Sequence, residues 1–233
     1  MTGEKKKREQ SVFREYFELI AETAVFVFFV MTFVVQAFQI PTGSMEPTLL
    51  IGDFLLVNKL AYVHPVLSLE EKILPRKKIQ RGDIVVFKYP NDLYKDYVKR
   101  VVALEGEKVE IKDNQVYVND QPIPEEYKVH LNSKINSGSE YYNYGNYIQS
   151  RYGPIIVPPG HCFVMGDNRD NSSDSREWGT LPISNVKGRP WIIYFSYRAE
   201  PGSHEKTSFR ERLKKIARFI PEARWKRILH MVK

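Results

Sequence analysis

The stretch LIAETAVFVFFVMTFVVQAF, Leu19–Phe38, divides the chain into two kinds of pattern. Twenty helical residues span about 30 Å, the thickness of a bilayer's hydrocarbon core, and this stretch is apolar on all sides. Lys5, Lys6, Lys7, Arg8 and Arg14 precede it, and the first basic residue after it is Lys59. By the positive-inside rule the N-terminus lies in the cytoplasm and everything after Phe38 outside. The exit, Ala37-Phe38-Gln39, has no small-x-small cleavage site, so the stretch reads as an uncleaved anchor rather than a removable leader.

Beyond the anchor the period changes to two. Short β-rich runs stand at Phe54–Val57, Asp83–Phe87, Tyr97–Val102, Lys108–Ile111, Gln115–Val118, Cys162–Met165 and Trp191–Tyr197. Turn signals separate them at Arg81-Gly82-Asp83, Glu105-Gly106, Asn119-Asp120 and Pro158-Pro159-Gly160. Many short strands without long helices between them predict an all-β barrel or sandwich-like domain. Ser68–Glu71 can cap one short helix ending before Pro75. Residues 131–153, rich in Ser, Asn, Gly and Tyr, read as an elaborated surface loop. From Ser208 the period turns helical again: Phe209, Leu213, Ile216 and Ile220 form one stripe, and Trp225, Ile228 and Leu229 resume it after Pro221. The reading is therefore a mainly β protein in segments: a basic cytoplasmic segment 1–18, an anchor 19–38, a β-rich extracytoplasmic domain 39–200 with an insertion at 119–157, and a basic amphipathic tail 201–233.

The charge is uneven. Of a formal +7 over 233 residues, residues 209–233 carry nine Lys/Arg against two acids, and the N-terminal fifteen hold five more basic residues. The body between is mildly acidic. A nucleic-acid binder spreads a basic patch over its folded body, whereas basic ends suit a membrane surface. The tail is expected either to lie on lipid or to pack on the domain. One cysteine, Cys162, forms neither an intramolecular disulfide nor a cysteine-cluster metal site; it reads as a buried strand residue, and His161 as a turn residue. No H-E-x-x-H is present, and no cofactor is expected.

Three segments carry candidate chemistry. Gln39-Ile-Pro-Thr-Gly-Ser-Met-Glu-Pro-Thr48 places Ser44 beside Gly43 and between two prolines, a turn poorly suited to regular structure. Asp96-Tyr-Val-Lys-Arg-Val-Val102 places Lys99 in an apolar strand. If Lys99 faces the core, desolvation makes it a usable base; if it faces water it is a surface lysine. The run Met165-Gly-Asp-Asn-Arg-Asp-Asn-Ser-Ser-Asp-Ser-Arg176 has the composition of a turn, a calcium loop or a hydrogen-bonded brace, but lacks EF-hand spacing. The G-x-S-x-G elbow is absent. Tyr97 reads as a wall of the lysine pocket, and Trp178 and Trp191 as core.

Taken together over residues 20–197, IPTGSMEPT (40–48), RGDIVVF (81–87), DYVKRVV (96–102) and GDNRDNSSDSR (166–176) resemble the bacterial type I signal peptidases. The resemblance implies a membrane-bound serine endopeptidase, without metal or cofactor, that removes signal peptides from exported preproteins by a Ser/Lys dyad. It implies Ser44 as nucleophile and Lys99 as general base. Thr42 and Ser44 would form the oxyanion hole, and Ser172 would orient the lysine. Asp174–Arg176 and Arg100–Asp167 would be structural ion pairs. Ile40, Pro41, Met45, Leu49, Val86, Tyr97 and Val98 would line the substrate pockets. The implied partners are preprotein signal peptides, the lipid bilayer and, indirectly, the export machinery. The implied location is the bacterial cytoplasmic membrane. Some members have two anchors, and one is found here. Two rival readings are a tethered β-domain that binds a surface partner, which does not need Ser44, Lys99 and Ser172 together, and a self-cleaving Ser/Lys regulator, which needs a DNA-binding head.

Overall fold

The computed structural model describes residues 12–62, 77–130, 151–199 and 221–232. The short helix expected at Ser68–Glu71 and the loop 131–150 lie outside them. Helix α1 (Val12–Phe29) continues through a wider π-helical turn, Val30–Val34, and none of its side chains is buried in the protein. At Val35 the chain becomes extended. Strand β1 (Val35–Gln39) pairs antiparallel with β2 (Asp53–Asn58), Val35 opposite Asn58 and Gln39 opposite Phe54. The helix thus already includes Val12–Glu18, ahead of Leu19, and the residues Val35–Phe38 that read as its last turn are strand. Val-Val-Gln-Ala-Phe satisfies both patterns, and the β2 ladder decides between them. Lys59 donates to the Thr32 carbonyl, fixing the helix end against the domain.

The remaining strands are β3 (Ile84–Tyr89), β4 (Asp92–Ala103), β5 (Lys108–Lys112), β6 (Gln115–Val118), β7 (Gln121–Pro122), β8 (Tyr152–Ile156), β9 (His161–Met165), β10 (Leu181–Pro182), β11 (Val186–Ser196) and β12 (His230–Met231). Helix α2 (Ser175–Trp178) is one short turn. An eight-stranded sheet runs β1-β2-β11-β3-β4-β9-β10, with β12 on β11, and a four-stranded sheet runs β7-β6-β5-β8. Among the described residues the molecule is mainly β behind one apolar helix, as the alternation predicts. Residues 119–157, read as an insertion, contribute β7 and β8 to the smaller sheet.

Alternation along β3 separates two cores. Ile84 and Val86 face a cluster with Ile40, Met45, Leu49, Leu55, Val57 and Ile193, while Val85 and Phe87 face Tyr62, Val101, Cys162, Val164 and Leu181. Cys162 is buried in β9, as its apolar neighbours imply. Trp178 packs with Phe87 and Tyr89. Trp191 does not join a core: it is 55 % exposed. The register of β11 on β2 jumps from Pro190 to Ile192, so Trp191 is the extra residue of a bulge and is thrown outward. The tail also departs from expectation. Residues 221–232 form no helix. They make a 3-10 turn (Trp225–Arg227), reverse at Leu229 with φ 63°, and lay β12 along β11, with Val232 buried in the first core. Pro221 and the unmet ladder edge of β11 favour strand over helix here. Residues 208–220, where the helical stripe falls, lie outside the described part.

Candidate active site

Ser44 sits in a single 3-10 turn, Gly43–Met45, between the end of β1 and β2. Ile40 closes the strand side: its N–H donates to the Asp53 carbonyl at 2.8 Å, and Gly52 N–H returns to the Ile40 carbonyl at 3.0 Å. Met45 is buried beneath the turn, and its carbonyl accepts the Leu49 N–H at 2.8 Å. The prolines Pro41 and Pro47 bound the loop, so it cannot relax into strand or helix.

Lys99 comes from β4, opposite Val85 of β3. It is 4 % exposed, and its Nζ donates to Ser44 Oγ at 2.7 Å. Burial pulls the ammonium down to about 8 from the ordinary 10.5. Asp174 opposes this shift and Arg176 adds to it. Of the two orientations the sequence leaves open, Lys99 adopts the core-facing one.

The two residues meet in a cleft of about 500 Å³ lined by Ile40, Pro41, Thr42, Ser44, Met45, Tyr97, Val98, Lys99 and Ser172, and by Phe38, Asp96 and Glu177, which sequence reasoning did not select. Leu49 and Val86 do not line it; both are fully buried in the core behind Ile40 and Met45. Thr42 is exposed at the cleft with an extended backbone, φ −132° and ψ 156°. Tyr97 stacks on Tyr89 at 4.6 Å between ring centres. β1 has β2 on one side only, and the ladder of β9 on β4 begins at Arg100, so Asp96–Lys99 has an open edge. Two strand edges therefore flank the cleft.

The 166–176 segment is a brace built from buried ions. Asp167, fully buried, takes two hydrogen bonds of 2.8 Å from Arg100 and one of 2.6 Å from Thr48 Oγ1. Asp174 takes two of 2.8 Å from Arg176 and one of 3.0 Å from the Gly166 N–H. Burial alone would raise the Asp174 carboxyl; the Arg176 charge and these donors hold it below the usual range. Ser172 is buried at the cleft, and its hydroxyl also helps hold the Asp174 carboxyl down. Gly166 lies so close that a β-carbon there would collide with Ser172 Oγ and the Ser44 carbonyl. Asn168 escaped sequence reasoning: its N–H donates to the Ser44 carbonyl at 3.1 Å and its side-chain amide to the Gly43 carbonyl at 3.2 Å. Two donors from one residue grip the serine turn, a contact between segments far apart in sequence that no local signal announces.

A hydroxyl hydrogen-bonded to a buried, easily deprotonated amine is an arrangement suited to a serine hydrolase that uses no histidine. The profile of the family "Signal peptidase, peptidase S26" matches residues 13–195. A signal peptidase I of Pseudomonas fluorescens is 34 % identical over 222 residues, covering 85 % of this chain and 78 % of the relative. One from Aquifex aeolicus is 35 % identical over 218 residues, covering 73 % and 79 %. A crystal structure of a signal peptidase I from Enterococcus faecalis is 32 % identical, with a TM-score of 0.38 over 48 % of this chain and 97 % of that one. The chain belongs to the signal peptidase family, peptidase S26, and is a serine protease.

Proposed function

We propose that this protein cleaves signal peptides from exported preproteins with Ser44 as nucleophile and Lys99 as the sole general base. The observation that carries the assignment is the 2.7 Å contact between Lys99 Nζ and Ser44 Oγ inside the cleft, with the amine lowered to about 8. Neutral Lys99 takes the Ser44 hydroxyl proton as Oγ bonds to the scissile carbonyl carbon. The carbonyl oxygen becomes an oxyanion, held by the Ser44 N–H and the Thr42 hydroxyl; each such donor is worth roughly 3–4 kcal/mol. The Lys99 ammonium then protonates the departing amine, and the C–N bond breaks. Water, deprotonated by Lys99, hydrolyses the acyl ester and frees Ser44. Ser172, buried at the wall of the same cleft, supplies the hydroxyl that would orient the amine as it changes charge. Asp174–Arg176 and Arg100–Asp167 keep the brace rigid.

An extended substrate would add to the strand edges on either side of the cleft, with alternate side chains entering pockets lined by Ile40, Pro41, Met45, Tyr97 and Val98. Leu49 and Val86 would set the pocket floor from behind. Substrates with a small residue before the cut fit such shallow pockets; Phe in place of Ala there is expected to slow processing sharply. The apolar helix would span the bacterial cytoplasmic membrane with its basic N-terminus inside, which brings the cleft to preproteins leaving the export machinery.

The test is cleavage of a purified preprotein in detergent. Ser44→Ala and Lys99→Arg are expected to be inactive, since arginine holds its proton throughout this range. Wild-type rates in Lys99→Arg would remove Lys99 from the mechanism.

A further inference from the structure

We infer that the C-terminal segment is a working part of the active site, with Arg227 a positioning residue for the loop that carries Ser44. This rests on Ser44 being the nucleophile.

Asp53 opens β2 at the far end of that loop and is fully buried. A buried carboxylate needs both hydrogen bonds and a countercharge. Two of its hydrogen bonds come from the loop's own Leu50 N–H at 2.8 Å and from Ser196 Oγ at the end of β11 at 2.6 Å. Its countercharge comes from the C-terminal segment. Among the described residues, the ion-pair partners of Asp53 are Arg227, at 2.6 Å, and Arg224, at 3.7 Å, both from the last stretch of the chain. Arg227 donates from Nε and Nη2 to the two carboxylate oxygens, a two-pronged geometry that fixes direction as well as distance. The same Nη2 reaches the Thr48 carbonyl at 2.9 Å, and Arg224 Nη1 reaches the Ile51 carbonyl at 2.9 Å.

The clamp therefore holds the 40–53 loop at three places: Thr48, Ile51 and Asp53. The Asp53 backbone carbonyl accepts the Ile40 N–H, which closes the loop's other end. Thr48 passes the constraint on. Its hydroxyl donates to Asp167, whose carboxylate is pinned by Arg100, the neighbour of Lys99. One continuous run of hydrogen bonds thus joins Arg227 to both elements that must keep Ser44 Oγ and Lys99 Nζ in register. Nucleophile and base tolerate little misplacement, so loosening the loop should slow the chemical step more than substrate binding. β12 on β11 and Val232 in the core keep this segment docked.

The experiment uses the full-length protein in detergent, with kcat, KM and melting temperature measured for Arg227→Gln, Arg227→Lys, Asp53→Asn and the double variant Asp53→Asn/Arg227→Gln. Lys226→Gln, at an exposed neighbour, serves as control, and Ser44→Ala checks the reading beneath. Arg227→Gln is expected to lower kcat tenfold or more, with KM changed less than about twofold. The double variant removes the buried carboxylate together with Arg227 and leaves only Arg224, which is partly exposed and keeps the Ile51 carbonyl, so its melting temperature should recover towards wild type while kcat stays low, the hold on Thr48 being still absent. Recovery of kcat with stability would mean that Arg227 only balances charge, and would overturn the inference; so would wild-type kcat in Arg227→Gln. If Arg227→Gln does not fold, the double variant and Arg227→Lys are judged by the same criterion. An active Ser44→Ala would instead defeat the assignment of the nucleophile, which is a separate result.

Discussion

In the proposed mechanism Lys99 works by being buried where its own charge is disfavoured, and the direction of its shift sets two expected pH dependences. Only the neutral amine can accept the Ser44 proton. Below pH 8 the neutral fraction falls about tenfold per pH unit, so kcat/KM should climb with unit slope up to about pH 8 and then level off. A profile flat from pH 6 to 9 would contradict this. Stability runs as follows: the folded amine titrates near 8 and the unfolded one near 10.5. Between those values the unfolded chain holds a proton that the folded chain has released, so stability rises with pH across that window. Below pH 8 both hold it, and the buried charge costs on the order of 3 kcal/mol. Lys99→Met keeps the stem without the charge. At pH 7 it should abolish cleavage yet raise stability by about 1–2 kcal/mol in urea unfolding, the lost bond to Ser44 offsetting part of the gain.

Among the elements, the segment from Glu125 to His130 was the least legible. It precedes the stretch 131–153 read as a loop and lies within 119–157, read as an insertion. In the structure it straps the brace: the Val129 N–H donates to the Asp167 carbonyl at 2.9 Å, and the Arg169 N–H donates to Val129 at 3.0 Å. The Tyr127 ring covers Arg100 at 4.1 Å, and Glu125 forms a buried ion pair with Arg169. None of this has a period, because each contact is made to a different distant residue. The strands were legible for the opposite reason. Alternation along Lys108–Ile111 reflects a sheet with one buried face, and Ile84–Phe87 is a short β-branched and aromatic run buried on both faces, whereas the apolar run at Val35–Phe38 suits helix and strand alike. Residue type alone marked the serine turn and Lys99 only as candidates, and their roles came from the resemblance of the four motifs taken together; Asn168, Arg224 and Arg227 are ordinary polar residues until the fold brings them together. Glu125→Ala leaves Arg169 buried without its partner, so it should destabilise the domain by about 3–5 kcal/mol, read from the urea midpoint. A shift of a few tenths would show that the strap is dispensable.

For the whole molecule, one apolar helix with a basic run before it predicts that an impermeant protease added to spheroplasts will digest the β-domain; a protected domain would reverse the proposed orientation. The way the helix ends matters as much as which side it faces. It passes into β1 without a linker, β1 is laddered to β2 along its full length, and the serine turn follows directly. Five strand residues rise about 17 Å along β1, so if the helix spans a bilayer the ladder holds the serine turn within a fixed reach of the helix end. An enzyme anchored in this way would act as a ruler for the substrate's own spacing between membrane-buried segment and scissile bond. Preproteins differing only in that spacing should show a sharp optimum when cleaved in vesicles, and a flatter one in detergent, where no surface remains to measure from.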